Sequence, residues 1–145
     1  MLCCVHAILL VKLNFALQLR DNDPTIPASG QWSLFGGGIE GTETPKDAII
    51  REIKEELSVT TCDFEFLGCV EYYCSFKKED IHISFFVADI TPFWGTHHLT
   101  EGQDVQFFSF EKIPELKIPE IFRELIYNFH NKKVIPICGS CSRKK

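Results

Sequence analysis

Glu52, Glu55 and Glu56 fall within one turn of a stretch whose apolar spacing predicts a helix. Positions i, i+3 and i+4 share a helical face, so the three carboxylates are expected to project into one small volume. Like charges at that spacing oppose one another by about 0.2–0.5 kcal/mol per pair. Either solvent dilutes the repulsion or a cation sits among them. Hard divalent ions such as Mg2+ and Mn2+ take oxygen ligands and share their shell with water and substrate phosphates. The cluster has the composition of a docking site for such ions, and a solvated acidic helix face is the plainer alternative. The preceding residues favour the first reading. Gly36, Gly37 and Gly38 let a backbone approach a ligand closely and offer a carbonyl to a cation, while Glu43, in the loop before the helix, can return a fourth carboxylate to the same cleft.

These residues need elements to hold them. Pro45 after Thr44 predicts a helix over about 45–58, with Thr44 as N-cap. Ile49, Ile53 and Leu57 would form its core stripe, with the glutamates in a separate sector. Residues 3–11 and 14–20 predict two strands joined around Leu13 and Asn14, and "QWSLF" predicts a short strand ending at the glycines. "CDFEFLGCVEYYCSF" and "IHISFFVADI" predict two long antiparallel strands. A long loop from Thr91, a strand "VQFFSF" and a final helix over about 119–131 complete the order. Strands, helix, strands, helix imply a mixed sheet covered by helices on both faces.

The spacing Gly37, Glu43, Arg51, Glu52, Ile53, Glu55, Glu56, Ser58, Val59 resembles the Nudix box of the MutT-like hydrolases. Two positions depart from that pattern. Ser58 stands where glycine is usual, and Thr42 occupies the place before Glu43, with Gly41 ahead of it. What the resemblance implies is an α/β/α sandwich, a Nudix fold, that hydrolyses a nucleoside diphosphate linked to another moiety with Mg2+, for which Mn2+ can substitute. It implies metal ligands at Glu52, Glu55, Glu56 and the Gly36 carbonyl, and an orienting ion pair between Arg51 and Glu43. Glu101, in "LTEGQD", resembles the loop glutamate that some members contribute as a further ligand or general base, so the base is Glu55 or Glu101. Arg20 resembles a basic residue placed near the phosphates, and Gly37 and Gly38 would border the substrate. Trp32, Phe35, Phe76 and Phe85 are candidates for stacking on a base, although with 13 Phe in the chain most aromatics belong to the core.

Composition narrows the remainder. With 145 residues, 45% of them hydrophobic and 24% charged, the chain fits one domain, expected over 1–133, followed by a basic, flexible tail over 134–145. A net charge of −5 argues against duplex nucleic acid as a partner. No apolar run reaches the roughly 18 residues of a membrane span. Seven irregularly scattered cysteines suit a reducing cytoplasm. "CGSC" at 138–141 is a single CxxC whose local sequence supplies no further ligands, and His97 and His98 read as loop residues. Homodimerisation is left open. Within the resembling family the chain has Ser75 where many ADP-ribose hydrolases have proline, and Tyr72 and Tyr73 fall short of the tyrosine typical of dinucleoside polyphosphate hydrolases. Ile121 stands near the place of a base-reading asparagine. These absences leave a small nucleotide, a nucleoside triphosphate first, as expected substrate. Dinucleoside polyphosphates, nucleotide sugars, ADP-ribose and a non-catalytic nucleotide sensor are the alternatives.

Overall fold

The computed structural model describes residues 1–95 and 104–138. Strands β1 (Leu2–Val11) and β2 (Asn14–Leu19) form the expected hairpin. Its turn is only Lys12 and Leu13, both at positive φ, a pattern whose twist suits antiparallel strands. Strands β3 (Trp32–Ser33) and β4 (Phe35–Gly38) follow, and the three glycines lie inside β4 rather than beyond a strand end. They pair with Cys4, Val5 and His6 of β1. Gly36 is required there, because a Cβ would run into the Val5 carbonyl and the His6 backbone.

Helix α1 (Pro45–Leu57) begins as its sequence dictates. Pro45 opens it and Thr44 Oγ1 accepts the Asp47 N–H at 3.1 Å, satisfying one of the free amides of the first turn. It ends at Ser58, whose backbone is left-handed (φ 57°, ψ 29°) and whose N–H donates to the Lys54 carbonyl. Strands β5 (Glu65–Cys74) and β6 (Glu79–Asp89), strand β7 (Asp104–Phe108) and helix α2 (Glu120–His130) complete the fold, with short 3-10 turns at Thr91–Phe93 and Phe110–Glu115.

The sheet runs β3-β2-β1-β6-β5, with β4 added to β1 and β7 to β2. β6 is parallel to β1 and every other pair is antiparallel. Alternation along β1 divides the interior in two. Val5, Ala7 and Leu9 join Phe35, Ile49, Ile53 and Leu57 under α1. Ile8 joins Phe15, Ile83, Phe85, Phe122 and Ile126 under α2. Each large apolar side chain buried this way contributes about 1.5–3 kcal/mol. The α/β/α sandwich is therefore present. After α2 the chain turns back, and at residues 135–138, within the segment assigned to the tail, the Pro136 carbonyl accepts the Cys69 N–H at 2.8 Å. Among the described residues no helix is long and apolar enough to cross a membrane.

Candidate active site

Arg51 sits at the centre of the acidic cluster. Its Nε and Nη2 donate to the two oxygens of Glu43 at 2.7 and 2.9 Å, a planar fork on a carboxylate. Nη2 also donates to the Gly38 carbonyl at 3.0 Å, which ties α1 to the glycine strand. Nη1 reaches Glu52 at 2.8 Å, Glu55 at 3.3 Å and Glu40 at 3.5 Å. One guanidinium thus draws four carboxylates together, and it relieves part of the repulsion that the glutamate spacing creates. The Arg51 hydrogen bond and that from the Glu40 amide hold the Glu43 carboxyl below its ordinary range. The hydrogen bond to Glu43, and after it that to Glu52, raises the Arg51 guanidinium further above its already high value. Glu40 did not stand out in the sequence; its exposed side chain gives no pattern to read.

The three glutamates do not share one environment. Glu52 is mostly covered and Glu55 is open, with side chains 14% and 59% exposed. Glu52 lies against Gly37, where a Cβ would come within 2.6 Å of its carboxylate. Glu56 departs from the expected outward sector and is buried. The reason is helical phase: Glu56 follows Ile49 by seven residues, almost two full turns, and so falls on the same stripe. Buried carboxylates need partners, and Glu56 has them. The Gly36 amide donates to Oε1 at 3.1 Å and Gln18 Nε2 to Oε2 at 3.2 Å. Gln18 was not singled out from sequence, being one polar residue within an apolar strand and 38 positions from its partner. A carboxylate oxygen can accept more than one contact, so hydrogen bonding and cation binding at Glu56 are compatible.

On the α2 side of the sheet, Gly36, Gly37 and Gly38 line a cavity of about 540 Å3. Arg20 lines it as well, with His6, Gln31 and Lys77. Its apolar walls include Pro27, Tyr72, Phe76, Ile121 and Phe122. Of the four aromatics considered for stacking, Phe76 is here, whereas Phe35 and Phe85 are core and Trp32 packs edge-on against Phe108. His6 stacks obliquely on Phe122 at 4.8 Å. Burial, aided by the charge of Arg20, lowers its pKa to about 3 and keeps the imidazole neutral. The glycine strand therefore borders both a room for an organic group and a carboxylate cluster. Glu101, His97 and His98 lie outside the described residues.

Comparison with known proteins agrees with this geometry. The NUDIX domain family matches residues 5–129. The nucleoside triphosphatase NudI of Salmonella newport is 33% identical over 111 residues, covering 72% of this chain and 76% of that protein. The NudI of Escherichia fergusonii is 31% identical over 94 residues, covering 60% of this chain and 65% of its own length. Among solved structures, the MutT protein of Methanosarcina mazei Go1 superposes with a TM-score of 0.77 at 22% identity, covering 90% of this chain and 94% of that one. The chain belongs to the Nudix, MutT-like hydrolase family.

Proposed function

We propose that this protein is a Mg2+-dependent pyrophosphohydrolase that converts a nucleoside triphosphate to the monophosphate and pyrophosphate. The observation that carries the reading is the single guanidinium gathering Glu40, Glu43, Glu52 and Glu55 beside a glycine strand that also walls a cavity of about 540 Å3. A pocket of a few hundred Å3 with apolar walls and a few polar groups suits a nucleoside. The strand between pocket and carboxylates lets the phosphate chain lie over backbone without side-chain obstruction. The similarity to two nucleoside triphosphatases supports a triphosphate.

The donor set is all oxygen, which fits a hard divalent ion. Glu52, Glu55, Glu56 and the Gly36 carbonyl would hold it. Bound there, Mg2+ supplies charge neutralisation on the pyrophosphate oxygens. Arg51 contributes positioning: its fork fixes Glu43, and its remaining donors restrain Glu52 and Glu55. Glu55, the most open of the three, takes the proton from the attacking water, unless Glu101 does so. Water adds to one phosphorus, the anhydride P–O bond breaks and pyrophosphate leaves. Arg20 and Lys77 offset phosphate charge from the cavity, with Gly37 and Gly38 as its backbone wall. Cys3, Cys4, Cys62 and Cys74 are free thiols, which supports a cytoplasmic setting.

The test is pyrophosphate and phosphate release with Mg2+ from a panel of nucleoside triphosphates, dinucleoside polyphosphates, nucleotide sugars and ADP-ribose, for the native chain and Glu55→Gln. Turnover of a triphosphate, reduced about 10^2–10^4-fold in the variant, supports the proposal. Turnover confined to another class moves the substrate, a full-rate Glu55→Gln moves the base to Glu101, and binding without turnover makes the protein a nucleotide sensor.

A further inference from the structure

A second group of ligand-bearing side chains lies where the chain end meets β5. Cys69 of β5, His82 of β6 and Cys138 offer ligand atoms that all lie within 4.8 Å of one another. Cys138 Sγ is 2.8 Å from Cys69 Sγ and 3.1 Å from His82 Nε2. The backbone is arranged around the sulfurs. The Cys138 amide donates to Cys69 Sγ at 3.0 Å, and the Cys69 amide donates to the Pro136 carbonyl. An amide aimed at sulfur is the kind of outer contact that orients a ligating side chain.

The sheet is built to receive this segment. β5 slips register between Phe66 and Gly68, and a Cβ at Gly68 would strike the Pro136 carbonyl and the Ile135 side chain. Ile135 packs with the α2-side core, whereas His82 falls between Ile81 and Ile83, which belong to that core, and so faces the α1 side. The chain therefore rounds the sheet edge at Gly68 and brings Cys138 to the far face. Ser84, the cross-strand partner of Cys69, is fully buried, and its hydroxyl has no hydrogen-bond partner among the described residues. It is a spare donor beside a sulfur.

We propose that Cys69, His82 and Cys138 hold one structural zinc-class cation that clasps the chain end to the edge of the sheet. Two sulfurs and an imidazole are the donors a borderline-soft ion selects, in contrast to the all-oxygen cluster of α1. The sequence places Cys141 at C-x2-C spacing from Cys138, the spacing of paired zinc thiolates; Cys141 lies outside the described residues. With Zn–S bonds of about 2.3 Å, two thiolates on a tetrahedral centre stand about 3.8 Å apart. The Cys69–Cys138 pair therefore opens by about 1 Å on binding, a movement available to a non-helical segment. Binding releases the thiol protons, so affinity rises with pH. The sulfur–imidazole site shares no residue with the acidic cluster and does not depend on what that cluster binds.

The test is Co2+ titration of the full chain, reduced and freed of metal, followed by thiolate-to-cobalt charge-transfer absorption. The expected result is saturation at about one ion per chain, displacement by Zn2+ and a higher melting temperature with Zn2+ bound. The band should vanish in His82→Gln and Cys138→Ser and persist in Glu55→Gln, because glutamates give no sulfur charge transfer. Cys138 follows the last helix, so its variant keeps the test open should His82→Gln fail to fold. A native chain without the band, a Cys138→Ser variant with a band of native strength, or peptide mapping that finds Cys69 joined to Cys138 as a disulfide in reducing buffer overturns the proposal.

Discussion

The acidic cluster of α1 and the sulfur–imidazole cluster at β5 both bring ligand atoms together on the α1 side of the sheet, and the chain assembles them by different means. Glu43, Arg51, Glu52 and Glu55 lie within 13 consecutive positions, so one capped helix and the loop before it suffice. Cys138 stands 69 positions from Cys69 and 56 from His82. Only the β5–β6 pairing and the turn-back after α2 make them neighbours. A local cluster inherits its geometry from helical periodicity and tolerates much else going wrong. A long-range cluster exists only when the whole sheet edge is in place, and a bound ion would repay that ordering by tying the edge down.

The comparison breaks most visibly at Arg51. In Arg51→Ala, Glu43, Glu52 and Glu55 lose their shared cation, and the partly buried Glu52 is left opposed by its neighbours. Removing one partner from such a network should cost about 2 kcal/mol of stability by denaturant titration and lower turnover at least about 10^2-fold. Arg51→Lys should not restore either, since an ammonium cannot grip Glu43 with a fork and reach Gly38 and Glu52 at once. Loss of thiolate-to-cobalt absorption in Arg51→Ala would show that the two clusters are not separable.

The same contrast decides what could be read in advance. The hairpin, helix α1 with its Thr44 cap, and both long strands follow from period, β-propensity and turn chemistry. So does the company of Glu43, Glu52 and Glu55, whereas Arg51 joined them only through the resemblance to the Nudix box. Glu56 was legible as a residue of the site but not as a buried one, because grouping by i, i+3 and i+4 ignored its phase relative to Ile49. Gln18, the Glu56 partner, and the cavity walls at Pro27, Tyr72 and Ile121 come from two strands, a loop and helix α2. Their convergence is a property of strand order, which no local pattern carries. Cys138 looked idle for the same reason.

Gly68→Ala probes the long-range half. The added methyl meets the Pro136 carbonyl and the Ile135 side chain, so residues 135–138 must lift from β5. The expected cost is about 1–2 kcal/mol, together with faster proteolysis near Lys132 and Lys133. Protection equal to that of the native chain would mean that the segment does not depend on the gap at Gly68.

Acid separates the two sides of the glycine strand. His6, with a folded pKa of about 3 against an ordinary 6.5, stays neutral while the unfolded chain takes up a proton. Its contribution is whole above pH 6.5 and declines as pH falls toward 3. At pH 5 the loss is about 2 kcal/mol, and His6→Gln should flatten that part of a melting-temperature profile. Glu43, whose carboxyl is held below its ordinary 4.5 by Arg51, contributes above that value and is lost only as pH falls further. Arg51→Ala should therefore flatten the lower limb and leave the upper one. A single limb, removed whole by either variant, would contradict this division.

The smallest effect is expected at Ser58, directly after the glutamates. Its left-handed backbone (φ 57°, ψ 29°) is a conformation that a side chain disfavours by about 1–2 kcal/mol and glycine does not. Part of that gain is cancelled by the extra freedom glycine has in the unfolded chain. Ser58→Gly should thus raise stability by about 0.5–1 kcal/mol with no change in the acidic cluster, since the Ser58 amide keeps its bond to the Lys54 carbonyl. If the variant also changes turnover, the helix end is part of what positions Glu55 and Glu56, and the local cluster is less self-contained than its sequence spacing implies.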